Sequence, residues 1–255
     1  MKTGYAPVNG LNMYYEIHGE GNMPLVLIHG GGSTIITCFS KLLPLLAKDR
    51  KVIAMELQAH GRTNDRDAPE SFMQDMADVV GLLKYLGVEK ADFCGFSNGG
   101  TTTLHIAIHH PELVNKIVVM SANYRRDGMP DGMLEGMKYA TIKDMPAPLQ
   151  QGYLDVTPSQ TGLQTMFEKD RDRMVNFKDM DDAEISSIKA KALIMAADQD
   201  VVKVDHLLNL HRLIAGSTFV VLPGVHGAFI GEACTTGSYG RSPEAAAILI
   251  SDFLN

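Results

Sequence analysis

One serine stands at the centre of a short stretch that is rich in glycine. The sequence Gly95-Phe96-Ser97-Asn98-Gly99-Gly100 follows an apolar run and precedes a segment with helical periodicity. Glycines two residues before and two residues after a serine allow a sharp strand-to-helix turn that exposes the hydroxyl at its apex. The N-terminus of the following helix also directs N–H groups towards any oxyanion formed at the serine. The stretch therefore predicts that Ser97 is a nucleophile.

A serine nucleophile needs a base, and two later loops offer one together with an acid. A serine hydroxyl is unreactive at neutral pH without a base, and the base needs a third group that holds its tautomer. The apolar run 191–197 leads to Asp198 and Asp200, and the run 217–223 leads to His226. The order Ser, Asp, His is the one expected when such a triad is built on a parallel sheet. We predict Asp200 as the acid because it lies further into its loop, with Asp198 as the alternative.

A second glycine-rich stretch, His29-Gly30-Gly31-Gly32-Ser33, follows the apolar run 24–29. Successive glycines let backbone N–H groups face a substrate closely, and together with the N–H of Asn98 they would form an oxyanion hole. A phosphate-binding loop is the rival interpretation, but the chain has neither a G-K-[ST] nor a G-x-G-x-x-G pattern. The stretch therefore predicts stabilisation of a negatively charged oxygen.

Apolar runs and helical segments alternate along most of the chain, and this alternation predicts the elements that position the candidate catalytic residues. The pair Asn9-Gly10 predicts a hairpin turn, so the chain should open with antiparallel strands. The later runs are almost wholly apolar, as expected of parallel strands covered on both faces. They comprise 24–29, 51–57, 91–96, 115–122, 191–197 and 217–223, and helices are predicted near 35–48, 71–86, 98–110, 203–215 and 242–254. The pattern predicts an α/β fold with a doubly wound, mostly parallel sheet, whose sites lie at the carboxyl ends of its strands.

The segment 123–182 interrupts this rhythm, because it lacks a convincing strand and is punctuated by Gly, Pro and Asp. It is too long for a plain loop, so we predict a small helical cap inserted into a core domain formed by 1–122 and 183–255. The insertion holds seven of the fifteen methionines, and flexible methionine suits an adaptable pocket roof. Met129 and Met133 are predicted substrate contacts, with ordinary core filling as the alternative.

Two arginines, Arg125 and Arg126, stand where the insertion begins. An arginine at that place could bind a substrate carboxylate, so Arg125 is a candidate substrate-binding residue. A solvated surface pair is the alternative.

Composition and charge narrow the classes of function. The 255 residues are 45% hydrophobic and 21% charged, which is typical of a folded protein. A net charge of -7 predicts no attraction to nucleic acid or to an anionic membrane. The three widely spaced cysteines, the lack of an apolar signal segment and the lack of a membrane-length apolar run favour a cytoplasmic location and argue against a thiolate zinc site. We therefore expect a small-molecule substrate and no metal or cofactor.

The chain resembles the α/β-hydrolase superfamily over nearly its whole length. The stretches that carry the resemblance occur in order, as IHGGGS (28–33), MELQAHGRT (55–63), GFSNGG (95–100), AADQD (196–200) and LPGVHG (222–227). The resemblance implies a triad of Ser97, Asp200 and His226. It also implies an oxyanion hole formed by the N–H groups of Gly31 and Asn98, with Gly32 as a further candidate. Members with an Asp nucleophile, the haloalkane dehalogenases and epoxide hydrolases, are disfavoured by Ser97.

These inferences predict a carboxylesterase-like serine hydrolase that cleaves a small, fairly apolar carboxylic ester through an acyl-enzyme. Hydrolysis of a carbon–carbon bond in a keto acid, or of a lactone, is the alternative reaction. An alternative of another class is a ligand receptor or signalling protein that keeps the fold and the triad but turns over slowly, because a fold does not fix a biological role.

Overall fold

The chain begins with a hairpin whose turn is set by Asn9 and Gly10. In the computed structural model, which describes residues 1–235 and 240–255, these two residues have φ values of 47° and 84°. Both values are positive, as a two-residue hairpin turn of type I′ requires. The turn joins strand β1 (Lys2–Val8) to strand β2 (Leu11–His18) in antiparallel pairing. The predicted antiparallel opening is confirmed.

The described residues form one sheet of eight strands in the order β1-β2-β4-β3-β5-β6-β7-β8. The remaining strands are β3 (Leu25–Ile28), β4 (Val52–Met55), β5 (Ala91–Phe96), β6 (Val114–Met120), β7 (Lys191–Gln199) and β8 (Thr218–Val225). β2 pairs antiparallel with β4, and every pairing beyond β4 is parallel. All residues of β3, β4 and β5 are buried, because helices cover both faces of the sheet. The predicted doubly wound, mostly parallel sheet is confirmed.

Ten α-helices are present in the described part of the chain. They are α1 (Ile35–Phe39), α2 (Leu43–Leu46), α3 (Phe72–Tyr85), α4 (Asn98–His109), α5 (Met133–Met137), α6 (Ala147–Val156), α7 (Gln160–Val175), α8 (Asp182–Ser186), α9 (Val204–Leu213) and α10 (Ser242–Leu254). Buried residues of α3, α4 and α9 join one apolar cluster, and those of α1, α2 and α10 join a second.

The helix predicted near 35–48 is divided into α1 and α2. Pro44 lies in the first turn of α2, and it has no N–H to continue a helix that arrives from α1. A proline is tolerated at a helix start because the first N–H groups have no partner inside the helix. The expectation of one continuous helix was therefore wrong.

The segment 123–182 contains helices and no strand. Its helices α6 and α7 build an apolar cluster that includes Met145, Leu149, Tyr153, Leu163 and Met166. The helical character of the segment agrees with the sequence pattern, and the division of the chain into a core domain and a cap stays a prediction. Within the described ranges, no helix has both the length and the apolar character needed to span a bilayer.

Candidate active site

Ser97 occupies a strained turn between β5 and α4. Its φ of 53° and ψ of -120° form a combination that residues with a side chain rarely adopt. A Cβ on Gly95 would lie well under 3.0 Å from Gly99 O, and a Cβ on Gly99 would come equally close to Ile28 O. Only glycine permits both approaches, so the turn packs tightly against the end of the neighbouring strand β3. This packing places Ser97 on the wall of a cavity.

Ser97, His226 and Asp200 form a continuous hydrogen-bonded chain. His226 Nε2 lies 3.1 Å from Ser97 Oγ, and His226 Nδ1 lies 2.6 Å from Asp200 Oδ1. A proton on Nδ1 donates to the carboxylate and leaves Nε2 free to accept the serine proton. Asp198, the alternative acid, instead accepts the Gly224 N–H at 2.7 Å. The structure thus brings Asp200, and not Asp198, to the histidine.

The electrostatics of His226 and Asp200 suit a base and its carboxylate partner. Burial acts to lower the pKa of His226, but the hydrogen bond and charge of Asp200, together with the charge of Glu232, raise that pKa above its ordinary value of 6.5. Burial acts to raise the pKa of Asp200, but the bonds from His226 and Ser121 outweigh it and hold that pKa below 3.8. Asp200 is therefore ionised at neutral pH and stabilises a protonated imidazole.

Ser121, which the sequence analysis did not single out, also supports Asp200. Its hydroxyl donates a hydrogen bond to Asp200 Oδ2, and the Val202 N–H donates to Oδ1 at 3.0 Å. Ser121 directly follows β6 and has a φ of 49°, and its N–H donates to Met195 O at 2.9 Å. Its place at the carboxyl end of a strand is the signal that could have identified it.

The glycine-rich loop after β3 is fixed by two side chains. His29 Nδ1 donates to Gly30 O at 2.7 Å, and His29 Nε2 accepts the Leu57 N–H at 3.1 Å. This imidazole is neutral, because burial lowers its pKa to about 3. Further along the loop, the Gly32 N–H donates to Asp170 Oδ2 at 2.5 Å. The loop is thus held from within by His29 and from the insertion by Asp170.

The candidate oxyanion donors are distinguished by their partners. Gly31 and Asn98 both line the cavity together with Ser97. Asn98 is the first residue of α4, and an N–H in that place has no acceptor within its own helix. Gly32 also lines the cavity, but its N–H is occupied by Asp170. Among the predicted donors, Gly32 is therefore unavailable in this arrangement.

The cavity at Ser97 and His226 has a volume of about 470 Å³, which is within the usual range for small-molecule sites. Five methionines contribute to its wall, namely Met129, Met133, Met137, Met145 and Met174. Met129 and Met133 thus lie where the sequence pattern placed them, whereas Met166 and Met180 are core residues. Polar side chains on the wall include Asn98, Asn123, Asp144 and Arg171.

Arg125 does not reach this cavity. It lines a separate polar groove, where its guanidinium lies 3.4 Å from Asp127 and 3.3 Å from Asp182. Arg126 is likewise paired, at 2.8 Å from Glu135. Neighbouring carboxylates hold both arginines near the surface, as in the surface-pair interpretation, and Arg125, the candidate substrate-binding residue, does not line the catalytic cavity. Arg171, which lies on α7, does line the cavity wall.

Across residues 1–235 and 240–255, no three His, Cys, Asp or Glu side chains are grouped so that they could hold a metal ion.

Comparison with known proteins gives matches along the whole chain. A family model described as the alpha/beta hydrolase fold matches residues 23–168. The human protein named serine hydrolase BPHL is 29% identical over 230 residues, which cover 85% of this chain and 77% of that protein. The 2-hydroxymuconate semialdehyde hydrolase of Pseudomonas sp. (strain CF600) is 36% identical over 112 residues, which cover 42% of this chain and 39% of that protein.

A solved structure with the same fold covers the full chain. A mutant of the meta-cleavage product hydrolase from Pseudomonas fluorescens IP01, complexed with acetates, superposes with a TM-score of 0.81 at 23% identity. The alignment covers 100% of this chain and 97% of that one.

Proposed function

The chain belongs to the α/β-hydrolase family, and we propose that it is a serine hydrolase that cleaves a small, fairly apolar carboxylic ester. The observation that carries the proposal is the hydrogen-bonded series Ser97, His226 and Asp200 opening into a largely apolar cavity. A cavity of about 470 Å³ accommodates a small acyl group and a small alcohol. Its methionines adapt to apolar groups of different shapes.

In the proposed mechanism, Ser97 Oγ attacks the ester carbonyl while His226 Nε2 accepts the serine proton. Asp200 holds the imidazole and stabilises the imidazolium that forms. The N–H groups of Gly31 and Asn98 bind the oxyanion of the tetrahedral intermediate. His226 then gives its proton to the departing alcohol, and a water activated by the same histidine releases the acid from Ser97. The scheme needs no metal or cofactor.

Hydrolysis of a carbon–carbon bond in a keto acid, or of a lactone, is the second candidate. The observation in its favour is Arg171 on the cavity wall, whose guanidinium also pairs with the exposed Asp172 at 2.8 Å. A guanidinium binds carboxylates well, and a keto acid or the acid product of a lactone carries one. The same candidate is supported by the similarity, which covers 42% of this chain, to the 2-hydroxymuconate semialdehyde hydrolase of Pseudomonas.

A fluorophosphonate probe tests the proposal directly, because it phosphonylates only an activated serine. We expect labelling of the wild type and of Ser40→Ala, a control at an exposed serine, and no labelling of Ser97→Ala. Turnover is then measured on p-nitrophenyl esters of short and long acids, on lactones and on keto acids. Failure of the wild type to be labelled would overturn the serine-hydrolase proposal.

The same measurements separate an enzyme from a receptor. Rapid labelling of Ser97 followed by many turnovers on at least one substrate class supports the enzyme. Labelling with only about one turnover per molecule on all three classes supports a receptor that keeps the triad.

A further inference from the structure

A carboxylate of the insertion reaches the glycine-rich loop of the core. Asp170 lies on α7 and is 9% exposed. Its Oδ2 accepts the Gly32 N–H at 2.5 Å and lies 3.0 Å from His60 Nε2, while its Oδ1 accepts a bond from Arg173. Asp170 and Gly32 are 138 residues apart in the chain. One carboxylate therefore joins the insertion, the loop after β3 and the loop after β4.

The bond to Asp170 constrains the peptide next to the proposed oxyanion donor. The Gly32 N–H belongs to the peptide that follows Gly31, so fixing its direction restricts rotation about the Gly31 backbone. A Cβ on Gly31 would lie 2.6 Å from Asn98 Nδ2 and 3.2 Å from Asp170 Oδ2. The Asn98 amide and the Asp170 carboxylate thus both lie close to Gly31, which leaves no room for a side chain there. The observed constraint on the Gly31 backbone is the bond from the Gly32 N–H to Asp170.

Cations around Asp170 offset its negative charge near the oxyanion site. Both ring nitrogens of His60 face acceptors, Gln58 O at 2.7 Å and Asp170 Oδ2 at 3.0 Å, so the ring donates from both and is a cation. Burial opposes this charge, but Asp170 outweighs burial and raises the pKa of His60 to about 9. Arg173 adds a second cation, which also donates to Asp75 at 2.5 Å.

Two further acids face this group from α3 and the segment before it. Asp75 is the partner of Arg173, and Glu70 Oε2 lies 3.6 Å from Arg173 Nη1, too far for a hydrogen bond. Burial is the main cause that raises the pKa of Glu70, to about 8, so this acid is mostly neutral at pH 7. Burial also raises the pKa of Asp75, against the charges of Arg173 and His60, so these two cations at least balance the negative charge of Asp170 and Asp75. Asp170 can anchor the loop without adding net negative charge beside the oxyanion.

We propose that Asp170, which lies on the insertion, is a positioning residue that holds the glycine-rich loop 29–33 in place. Packing of the insertion against the core and alignment of the Gly31 N–H are therefore coupled. The effect on catalysis rests on the proposed function, whereas the bond itself does not. Asp170 lines the cavity, but its hydrogen bonds go to Gly32, His60 and Arg173 and not to Ser97 or His226. Its removal weakens binding of the tetrahedral state more than binding of the substrate.

The test compares Asp170→Asn with Glu168→Gln, an exposed change on the same helix. Two ligands report on different states. A trifluoromethyl ketone forms a hemiketal with Ser97, in which a bond joins Ser97 Oγ to the carbonyl carbon, the serine proton passes to His226 and the oxyanion occupies the hole. The matching trifluoromethyl carbinol fills the cavity but forms no bond and no oxyanion.

We expect Asp170→Asn to weaken inhibition by the ketone and to lower kcat/KM by one common factor of about 10 to 100, somewhat less than the loss of a whole donor. Inhibition by the carbinol and the KM should change less than about threefold, since ground-state binding is retained. Glu168→Gln should leave all of these values unchanged. An unchanged ketone inhibition, or an equal loss for ketone and carbinol, would overturn the proposal.

A measurement on the wild type keeps the proposal testable if Asp170→Asn does not fold. A short bond to a carboxylate moves the NMR resonance of the Gly32 amide proton strongly downfield and protects it from exchange. A Gly32 amide at an ordinary shift with rapid exchange would refute the link. This NMR measurement does not depend on activity. If the protein hydrolyses none of the substrates, the proposed function is refuted, but the hydrogen bond between Gly32 and Asp170 is still tested.

Discussion

The Ser121 hydroxyl donates a hydrogen bond to Asp200 Oδ2, the oxygen opposite the one that meets His226. Asp200 Oδ2 also receives the Ala197 N–H at 3.3 Å. The carboxylate is therefore held on both oxygens and cannot rotate away from the imidazole. Ser121 has a φ of 49°, a conformation that costs a residue with a side chain about 1 kcal/mol or more. Because of this strain, the effect of the Ser121 hydroxyl on catalysis can be separated from the effect of the Ser121 backbone conformation on stability.

Removal of the Ser121 hydroxyl should lower kcat by a factor of about 10 to 100, since a hydrogen bond to a charged group is worth about 1.5 to 3 kcal/mol. Ser121→Ala and Ser121→Gly both remove the hydroxyl, but glycine also relieves the backbone strain. We expect equal losses of kcat in the two variants and a higher free energy of unfolding for Ser121→Gly. Steady-state kinetics and urea unfolding provide the two readouts. Wild-type kcat in Ser121→Gly would contradict the supporting role.

The rate should depend on the protonation of His226. The base works only when neutral, and its pKa is raised above 6.5, so kcat/KM should fall as the pH decreases through that raised value. Because the Glu232 charge contributes to the rise, Glu232→Gln should move the acidic limb to lower pH while activity at its plateau persists. A pH profile of kcat/KM from about 5 to 9 measures both. A limb that stays in place in Glu232→Gln would show that this charge does not act on His226.

Addition of one methyl group at the turn before Ser97 should unfold the protein. In Gly95→Ala the new Cβ would meet Gly99 O at well under 3.0 Å, and such an overlap in a packed core costs several kcal/mol, about 4 or more. Gly136→Ala is the matched control, because its Cβ meets nothing within 4 Å and it lies on α5. That control should gain about 0.4 to 1 kcal/mol. Thermal unfolding of the two variants decides, and a stable, well-folded Gly95→Ala would contradict the packing argument.

Stability should decline between about pH 6.5 and 9 because of the group around Asp170. The folded state raises the pKa of His60 from 6.5 to about 9, so its stabilising contribution is complete below 6.5 and is lost as the pH rises through 9. The loss is on the order of 3 kcal/mol. Glu70 acts in the same direction, because burial raises its pKa from 4.5 to about 8. Urea unfolding across this range should show a steep decline in the wild type and a shallower one in His60→Gln. Equal slopes in the two proteins would exclude His60 as the cause.

The strands and the residues at their carboxyl ends could be predicted from the sequence. Apolar runs bounded by turn residues indicated the order of the elements, and Ser97 and His226 lie at the ends of such runs. The choice between Asp198 and Asp200 depended on the course of a loop, which local patterns do not determine. The structure separates them by their partners, Gly224 for Asp198 and His226 for Asp200.

The contacts of the insertion could not be predicted in the same way. Charged residues crowd the end of α7 in the sequence EKDRDR (168–173), and helical periodicity alone does not tell which of them face inwards. Asp170 and Arg173 are buried there, whereas Glu168 is exposed. Three successive glycines are also chemically identical along the chain. In the structure, the distant partner Asp170 and a φ of 69° distinguish Gly32 from Gly31.

The adjacency of β3 and β5, with Ile28 opposite Gly95, has a consequence for how new specificities could arise on this scaffold. The spacing between the nucleophile turn and the glycine-rich loop is set by neighbouring backbones of one sheet, and the insertion supplies most of the surface that a ligand meets. Transplanting a foreign insertion would therefore exchange ligand preference while the reacting geometry is inherited from the sheet. Such a graft would have to supply an acceptor that replaces Asp170 at the Gly32 N–H.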